Sequence, residues 1–368
     1  SNLGETMKGL NNPIGIKSIE PNQNPFITNP YRHVSGAVGG WKELGRTTLG
    51  STADTVSVSS LGDKRYFMVL CDNRTTGAVR MNMRFNSESG SNYSERWSAK
   101  GATDSTQISQ NKMQYGQSYV NEQGFSVHNI ANLTNKEKLM MAHIVSDDAS
   151  TGAGTAPYRN EYISKWVPST ASDVINEIAM YNTSAGSWNI GAECVVLGWD
   201  PADTHTTNFW EELASVELGS AGNDLSSGTI SAKKYLWVQA YAKATGGNIN
   251  NGFRFNSDTG SNYANRRSVD GATDATQINT SSACDDANLD SAYERFYNMF
   301  IVNNSSNEKL SICHVVQQNA SGAANAPRRG EYVGKWANTS NQITDITLHN
   351  FSGGNLDTGS IIKVWGSD

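Results

Sequence analysis

Apolar and polar residues alternate along most of this chain in short runs. Asn, Gly, Ser and Thr break the runs apart, as expected of β-strands joined by turns. One run is apolar on both faces: Tyr66, Met68 and Leu70 on one side, Phe67, Val69 and Cys71 on the other, as in a strand covered on both sides. Tyr235, Leu236, Trp237 and Val238 form its partner. Residues 139–145 and 310–316 each follow a polar turn, Asn135-Lys136-Glu137 or Ser306-Asn307-Glu308. With 125–131 and 296–302 before those turns, both read as hairpins. Ile343, Ile346 and Leu348 lead to a turn at Thr358-Gly359-Ser360 and a closing strand over 361–366. Residues 208–213 fit a helical turn or, like 40–44, a strand entry. The pattern predicts roughly eight to ten strands per module and no helix, an antiparallel β-sandwich of jelly-roll type.

These runs come in two copies. Residues 41–200 recur as 210–368. The sequence Arg84-Phe85-Asn86-Ser87-Glu88-Ser89-Gly90-Ser91-Asn92-Tyr93 returns as Arg254-Phe255-Asn256-Ser257-Asp258-Thr259-Gly260-Ser261-Asn262-Tyr263. Gly101-Ala102-Thr103-Asp104 returns as Gly271-Ala272-Thr273-Asp274. This predicts an arm over 1–38, a first sandwich over 39–201 and a second over 202–368. A single active site does not need its scaffold twice, whereas a lattice protein or multivalent binder gains surface or avidity.

Composition narrows the picture. The chain has 368 residues, 37% apolar and 17% charged, with 34 Gly. Both percentages are below ordinary globular usage, and the balance favours polar turns. A net charge of −6 argues against a nucleic-acid partner, which requires a basic face. No apolar stretch approaches the roughly 20 residues of a membrane span. Cys71, Cys194, Cys284 and Cys313 occupy positions not matched between copies, so they read as free thiols in a reducing cytoplasm. Residues 1–38 hold four prolines (Pro13, Pro21, Pro25, Pro30) and few apolar residues. Alone they bury too little surface to offset their ordering entropy. An extended arm is expected, either tethered to a neighbouring subunit, the preferred reading, or packed back onto its own module, with Ile14, Ile16, Phe26, Ile27 and Tyr31 as its contacts.

The Arg-Phe-Asn-x-Asp/Glu-x-Gly-Ser-Asn-Tyr runs, the Lys-Trp steps and the closing run Gly359-Ser360-Ile361-Ile362-Lys363-Val364-Trp365-Gly366 carry a resemblance. They resemble a β-module that recurs in virion proteins of tailed bacteriophages. Members of that group carry Phe-Asn-Gly-Asp-x-Gly-x-Asn-Tyr and end on Gly-Ser-x-x-x-Leu-Tyr-Gly. Here Ser87 and Ser257 replace the first Gly, and Trp365 replaces Tyr. The resemblance covers both modules but not the arm. It implies a structural or adhesive protein and not a catalyst.

Candidate chemistry is sparse. Asn86, Glu88, Gly90 and Asn92, repeated as Asn256, Asp258, Gly260 and Asn262, offer oxygens at alternate positions, loosely like a calcium loop. The terminal bidentate carboxylate is missing, so a hairpin turn is expected, with Gly at positive φ and Arg84 and Arg254 paired to acids. His143 and His314 match between copies and lie on apolar faces, as hydrogen-bonded core residues do. Asp104 and Asp274 sit in a repeated loop that reads as a turn or a sugar contact. Arg159, Tyr162 and Trp166, with Arg329, Tyr332 and Trp336, have the residue types that anchor interfaces, but the alternation along their strands does not say which face is inside, so interface and core both stay open. Glu43 beside Trp41, and Glu211 and Glu212 beside Trp210, are the most a glycosidase cleft has to build on. No nucleophile elbow, phosphate loop or zinc pair is present in the sequence.

The expectation is a non-enzymatic virion protein assembled in a host cytoplasm, with no cofactor or metal. The first role is a capsid decoration protein that binds the major capsid protein or other virion subunits, as a homo-oligomer with a trimer expected. The competing role is a tail-fibre adhesin that binds a host glycan.

Overall fold

A computed structural model of the chain describes residues 40–118, 123–148, 150–201, 203, 207–285 and 293–368. The expected arm, with Ile14, Ile16, Phe26, Ile27 and Tyr31, lies outside the described residues. Among the described residues every regular element is a β-strand, and every pairing between strands is antiparallel.

The first half forms two sheets. The larger has the order β1 (Lys42–Thr48), β12 (Glu193–Trp199), β3 (Tyr66–Arg74), β8 (Gln123–Ala131), β9 (Lys138–Ser146), β10 (Tyr158–Trp166), β5 (Tyr93–Ala99), β6 (Ser105–Gln110). The smaller runs β2 (Thr55–Ser59), β11 (Glu177–Tyr181), β4 (Val79–Phe85), β7 (Met113–Ser118). The second half repeats the larger sheet strand for strand: β13 (Glu211–Glu217), β25 (Ile361–Ser367), β15 (Tyr235–Ala242), β20 (Arg295–Val302), β21 (Lys309–Gln317), β22 (Arg328–Trp336), β18 (Tyr263–Val269), β19 (Ala275–Thr280). Its facing layer holds β14 (Asp224–Ser226), β23 (Ile346–Asn350) and β17 (Asn251–Phe255), with the short pair β16 (Ala244–Thr245) and β24 (Asn355–Leu356). Among the described residues no strand of one half enters a sheet of the other.

The expected hairpins form as β8–β9 and β20–β21. Residues 211–213 enter β13, so the helical turn does not form. The strand count exceeds the expectation because several strands lack an apolar face to read. Strand β6, for example, is exposed or half-buried throughout.

Each module buries a core between its layers. In the first, Phe67, Val69, Cys71, Ile144 and Val196 of the large sheet meet Met83, Phe85 and Ile178 of the small one. In the second, Leu236, Val238 and Val364 meet Phe253, Phe255 and Leu348. Tyr162 and Trp166, and their counterparts Tyr332 and Trp336, belong to these cores. Of the two readings open for them, interface or core, this decides for core and removes them from the interface candidates: the alternation of β10 and β22 turns them inward. Trp336 lies 6.2 Å from Tyr263 in a stacked pair, and Trp166 repeats this with Tyr93 at 6.3 Å.

A third apolar cluster lies between the modules. The outer faces of the two large sheets pack on each other through Met68, Leu70, Phe125, Val127 and Val145 on one side. Tyr235, Trp237, Leu310, Ile312, Val333 and Trp365 supply the other. The two-sided apolar runs of β3 and β15 follow from this: each strand faces its own core and the partner module.

Candidate functional site

The repeated Asn-x-acid-x-Gly-x-Asn run is a turn, as expected, though not a hairpin. Phe85 accepts the Glu88 N–H at 2.9 Å, and the turn carries the chain from β4 in the small sheet to β5 in the large one. Asn86 and Ser87 adopt φ of 52° and 53°, and Asn256 and Ser257 adopt 52° and 55°. Gly90 and Gly260 do not carry the positive φ. They are needed for close approach: a Cβ on Gly260 would stand 2.7 Å from Asn262 Nδ2 and 3.1 Å from Asp258 Oδ1.

The polar atoms of this turn are already engaged. Asn86 Oδ1 accepts from the N–H of Asn176 and Glu177 at 2.9 and 3.1 Å, and Nδ2 donates to Val174 O at 2.8 Å. Asn256 repeats this with Thr344, Asp345 and Gln342 at 2.7, 3.1 and 2.8 Å. Asp258 accepts from Gly260 N–H and Trp336 Nε1, both at 2.8 Å, and from Asn262. Burial raises the pKa of its carboxyl, but the Trp336, Asn262 and Gly260 bonds outweigh that and lower it. Asn92 donates to Ser169 at 3.0 Å. These oxygens hold backbone and ring N–H groups and do not form a cation cage. Arg84 and Arg254 do not seek acids either; they lie over the Tyr181 and Phe351 rings, 4.2 and 4.9 Å from the centroids.

The polar side chains the sequence singled out converge elsewhere, at the seam between the modules. On adjacent strands His143 stands opposite Glu161, and His314 opposite Glu331. The two pairs face each other: the imidazole centroids are 4.4 Å apart. Arg159 enters from the first module and donates to Asp274 at 2.6 and 3.2 Å and to Glu331 at 2.8 Å. It also pairs with Glu161. Arg159 and Asp274 are both buried, with side chains 6% and 1% exposed. Burial lowers the pKa of the guanidinium, but Asp274, Glu161 and Glu331 raise it above the ordinary value. Burial and then Glu161 push the Glu331 carboxyl up. Burial, then His314 and Arg159, drive His143 down to about 3, so the imidazole is neutral near neutral pH.

His143, Glu161 and His314 bring one donor atom each within 4.8 Å of one another. Reading each histidine alone missed this, because the second histidine arrives from the other copy. The set has the donor types zinc accepts, but Arg159 already supplies the positive charge both glutamates face. The expected glycosidase elements do not converge. Glu43 pairs with Arg46 at 2.7 Å, while Glu211 and Glu212 lie 3.6 Å from Lys233 and Lys363.

Further polar contacts close the seam. Tyr235 donates to Glu193 at 2.8 Å, and Lys234 reaches Glu193 and Asp72 at 3.0 and 3.2 Å. Arg266 donates to Pro157 O at 2.7 Å, and Lys335 to Ser150 O at 2.8 Å. The interface candidate Arg159 is thus an internal clamp. Its counterpart Arg329 is 62% exposed beside Glu331, and Asp104 lies exposed 3.6 Å from Arg96.

No protein-family model and no curated protein matches the chain. Among solved structures it is similar to the LG1-3 region of the laminin alpha2 chain, at 8% identity and a TM-score of 0.20. That match covers 85% of this chain and 64% of the other, so the chain spans less than two thirds of that structure's length. It is also similar to domains LG4-5 of the mouse laminin alpha1 chain, at 10% identity and a TM-score of 0.20, covering 90% and 92%.

Proposed function

We propose that this protein is a non-catalytic assembly protein of a tailed-bacteriophage virion, acting as a decoration or cement protein on the capsid. The observation that carries the reading is a bare apolar strip on the large sheet of the first module. Leu139, Met141 and Ile163 are each about half exposed there. A shallow depression beside them is lined by Trp41, Tyr66 and Trp199. Contiguous exposed apolar surface on a folded domain marks a protein contact. Most of the matched polar groups support the same reading, because they are spent on turns and on the seam; Arg329 and Asp104 are the exposed exceptions. The arm over 1–38 would join the described chain at Gly40, next to Trp41, and reach from there to neighbouring subunits. The mechanism is mechanical: area buried across subunit joints opposes opening of the shell.

A glycan-binding adhesin has less support. It calls for exposed aromatics matched in both copies, and Tyr93, Tyr162 and Trp166 are buried, as are Tyr263, Tyr332 and Trp336. The test adds purified chain to virions that lack it. Full-length protein should attach and raise the temperature at which the shells open. Protein lacking residues 1–38 should stay in the supernatant. Shells that open at the same temperature with and without the full chain would refute the reading.

A further inference from the structure

Each module brings one histidine and one glutamate to the seam, too few by themselves to surround an ion. His143 stands opposite Glu161 on β9 and β10, and His314 opposite Glu331 on β21 and β22. Stacking the two large sheets sets both pairs around a small pocket of about 10 Å³, whose wall also includes Arg159. That is about the least space that holds one water, and it is enough for one small ion. His143, Glu161 and His314 are half-buried and offer one donor atom each, all within 4.8 Å of one another. Zinc bonds of about 2.0–2.1 Å place tetrahedral donors about 3.4 Å apart, so the three atoms need to close by about 1 Å.

These donors are not spent. Among the described residues no group hydrogen-bonds to either imidazole, and the neutral His143 ring keeps a free lone pair. Arg159 supplies one positive charge against three carboxylates. It makes a paired contact with buried Asp274 through Nη2 and Nε, which by itself matches one positive charge with one negative. Glu161 and Glu331 share the remaining nitrogen, Nη1. Glu331 also has the largely exposed Arg329 at 3.2 Å, whereas Glu161 makes no other ion pair among the described residues. The crowding shows in Glu331, whose carboxyl is pushed up by burial and then by Glu161. Two carboxylates this close favour a proton or a cation between them.

We propose that the seam holds one zinc ion, with His143, His314 and Glu161 as its ligands and a water molecule in the fourth position. The water has a way in, because His143 and Glu161 also line an open concavity of about 210 Å³. Three protein ligands with one open position is an arrangement zinc accepts, and imidazole and carboxylate are donors that suit it. Glu331, held by Arg159 and Arg329, stays beside the ion and offsets its charge. Because the two histidines come from different modules, the ion pins the two sheets together. Its role is structural, and it stands or falls independently of the capsid reading.

Equilibrium dialysis of the full chain against zinc chloride, after stripping with a chelator, tests it. One zinc per chain should bind, with a dissociation constant of about 1 µM or tighter. His143→Ala, His314→Ala and Glu161→Gln should each weaken binding by about tenfold or more. His349→Ala, at a histidine that pairs with Asp224 away from the seam, should change nothing. An ion that binds only the folded chain stabilises it. Zinc should therefore raise the melting temperature of the wild type and leave that of the three seam variants unchanged. Far-UV circular dichroism without zinc checks that the variants fold, and His143→Gln, closer in size, replaces His143→Ala if it does not. Cobalt(II) in place of zinc should give the visible absorption of a four-coordinate ion in the wild type and lose it in the variants. Absence of bound zinc at a concentration on the order of 100 µM would overturn the proposal. So would one zinc held equally well by the wild type and all three seam variants, which would mean an adventitious ion only.

Discussion

At the scale of single residues, the two copies serve as controls for each other. Ser257 occupies a turn position with φ of 55° where the resembling modules carry Gly. An L-residue there costs roughly 1 kcal/mol, which Gly avoids at some cost in unfolded-chain entropy. Ser257→Gly should therefore raise stability by about 0.5–1 kcal/mol in urea unfolding. Ser87→Gly should gain less, because Ser87 Oγ donates to Glu177 at 2.7 Å. A second comparison concerns Glu95, which pairs with Gln107 as Asn265 pairs with Gln277. Asn265 accepts the Cys284 N–H at 2.9 Å, and Glu95 accepts the Gln114 N–H at 2.6 Å. Burial lifts the Glu95 carboxyl to about 7, against an ordinary value near 4.5. The folded chain holds this proton longer than the unfolded one, so stability is lost as pH rises from about 4.5 to 7. Glu95→Gln keeps the acceptor and removes the charge. It should be nearly neutral at pH 4 and stabilising by about 2–3 kcal/mol at pH 8, measured by urea unfolding across that range.

At the scale of elements, β10 carries the coupling between modules. Arg159 on that strand compensates Asp274 and Glu331, both drawn away from water. Removing one partner of a buried ion pair leaves an uncompensated charge and costs about 3–5 kcal/mol. Arg159→Ala should lower the calorimetric melting temperature accordingly. Arg159→Leu combined with Asp274→Leu should recover only part of that loss, because it relieves the buried Asp274 charge but leaves Glu161 and Glu331 without the guanidinium. This clamp shows where the sequence stops being legible. The hairpins, the closing strand β25 and the repeat were visible because apolar period and turn chemistry are local properties. Arg159, Tyr162 and Trp166 were picked out as a group by residue type. Neighbouring positions on one strand point to opposite faces, and only knowing that both faces are covered separates the clamp from the core. The meeting of His143 with His314 has no local signal, because the second ring comes from the other copy of the motif.

At the scale of the whole molecule, the modules share an interior, which sets a limit on their independence. Cut between β12 and β13, the first module would expose Leu70, Phe125, Val127, Val145 and Val195 on one sheet face. The second would expose Trp237, Leu310, Ile312, Val333 and Trp365. Fully burying one such side chain is worth about 1.5–3 kcal/mol, so either face is costly to leave in water. Each module nevertheless keeps its own core between its own layers. Residues 40–201 and 207–368, expressed separately, should therefore fold, since their cores are complete, but bind a hydrophobic dye such as ANS strongly and self-associate. The second module should do so more, because its face carries Trp237 and Trp365. Mixed together, the two halves should form a 1:1 complex in which dye binding falls towards the level of the intact chain, with Arg159→Ala in the first half weakening the complex. Halves that stay monomeric, exclude the dye and ignore each other would mean that the seam contributes little to stability. The two sandwiches would then be beads on a string and not one four-layered body.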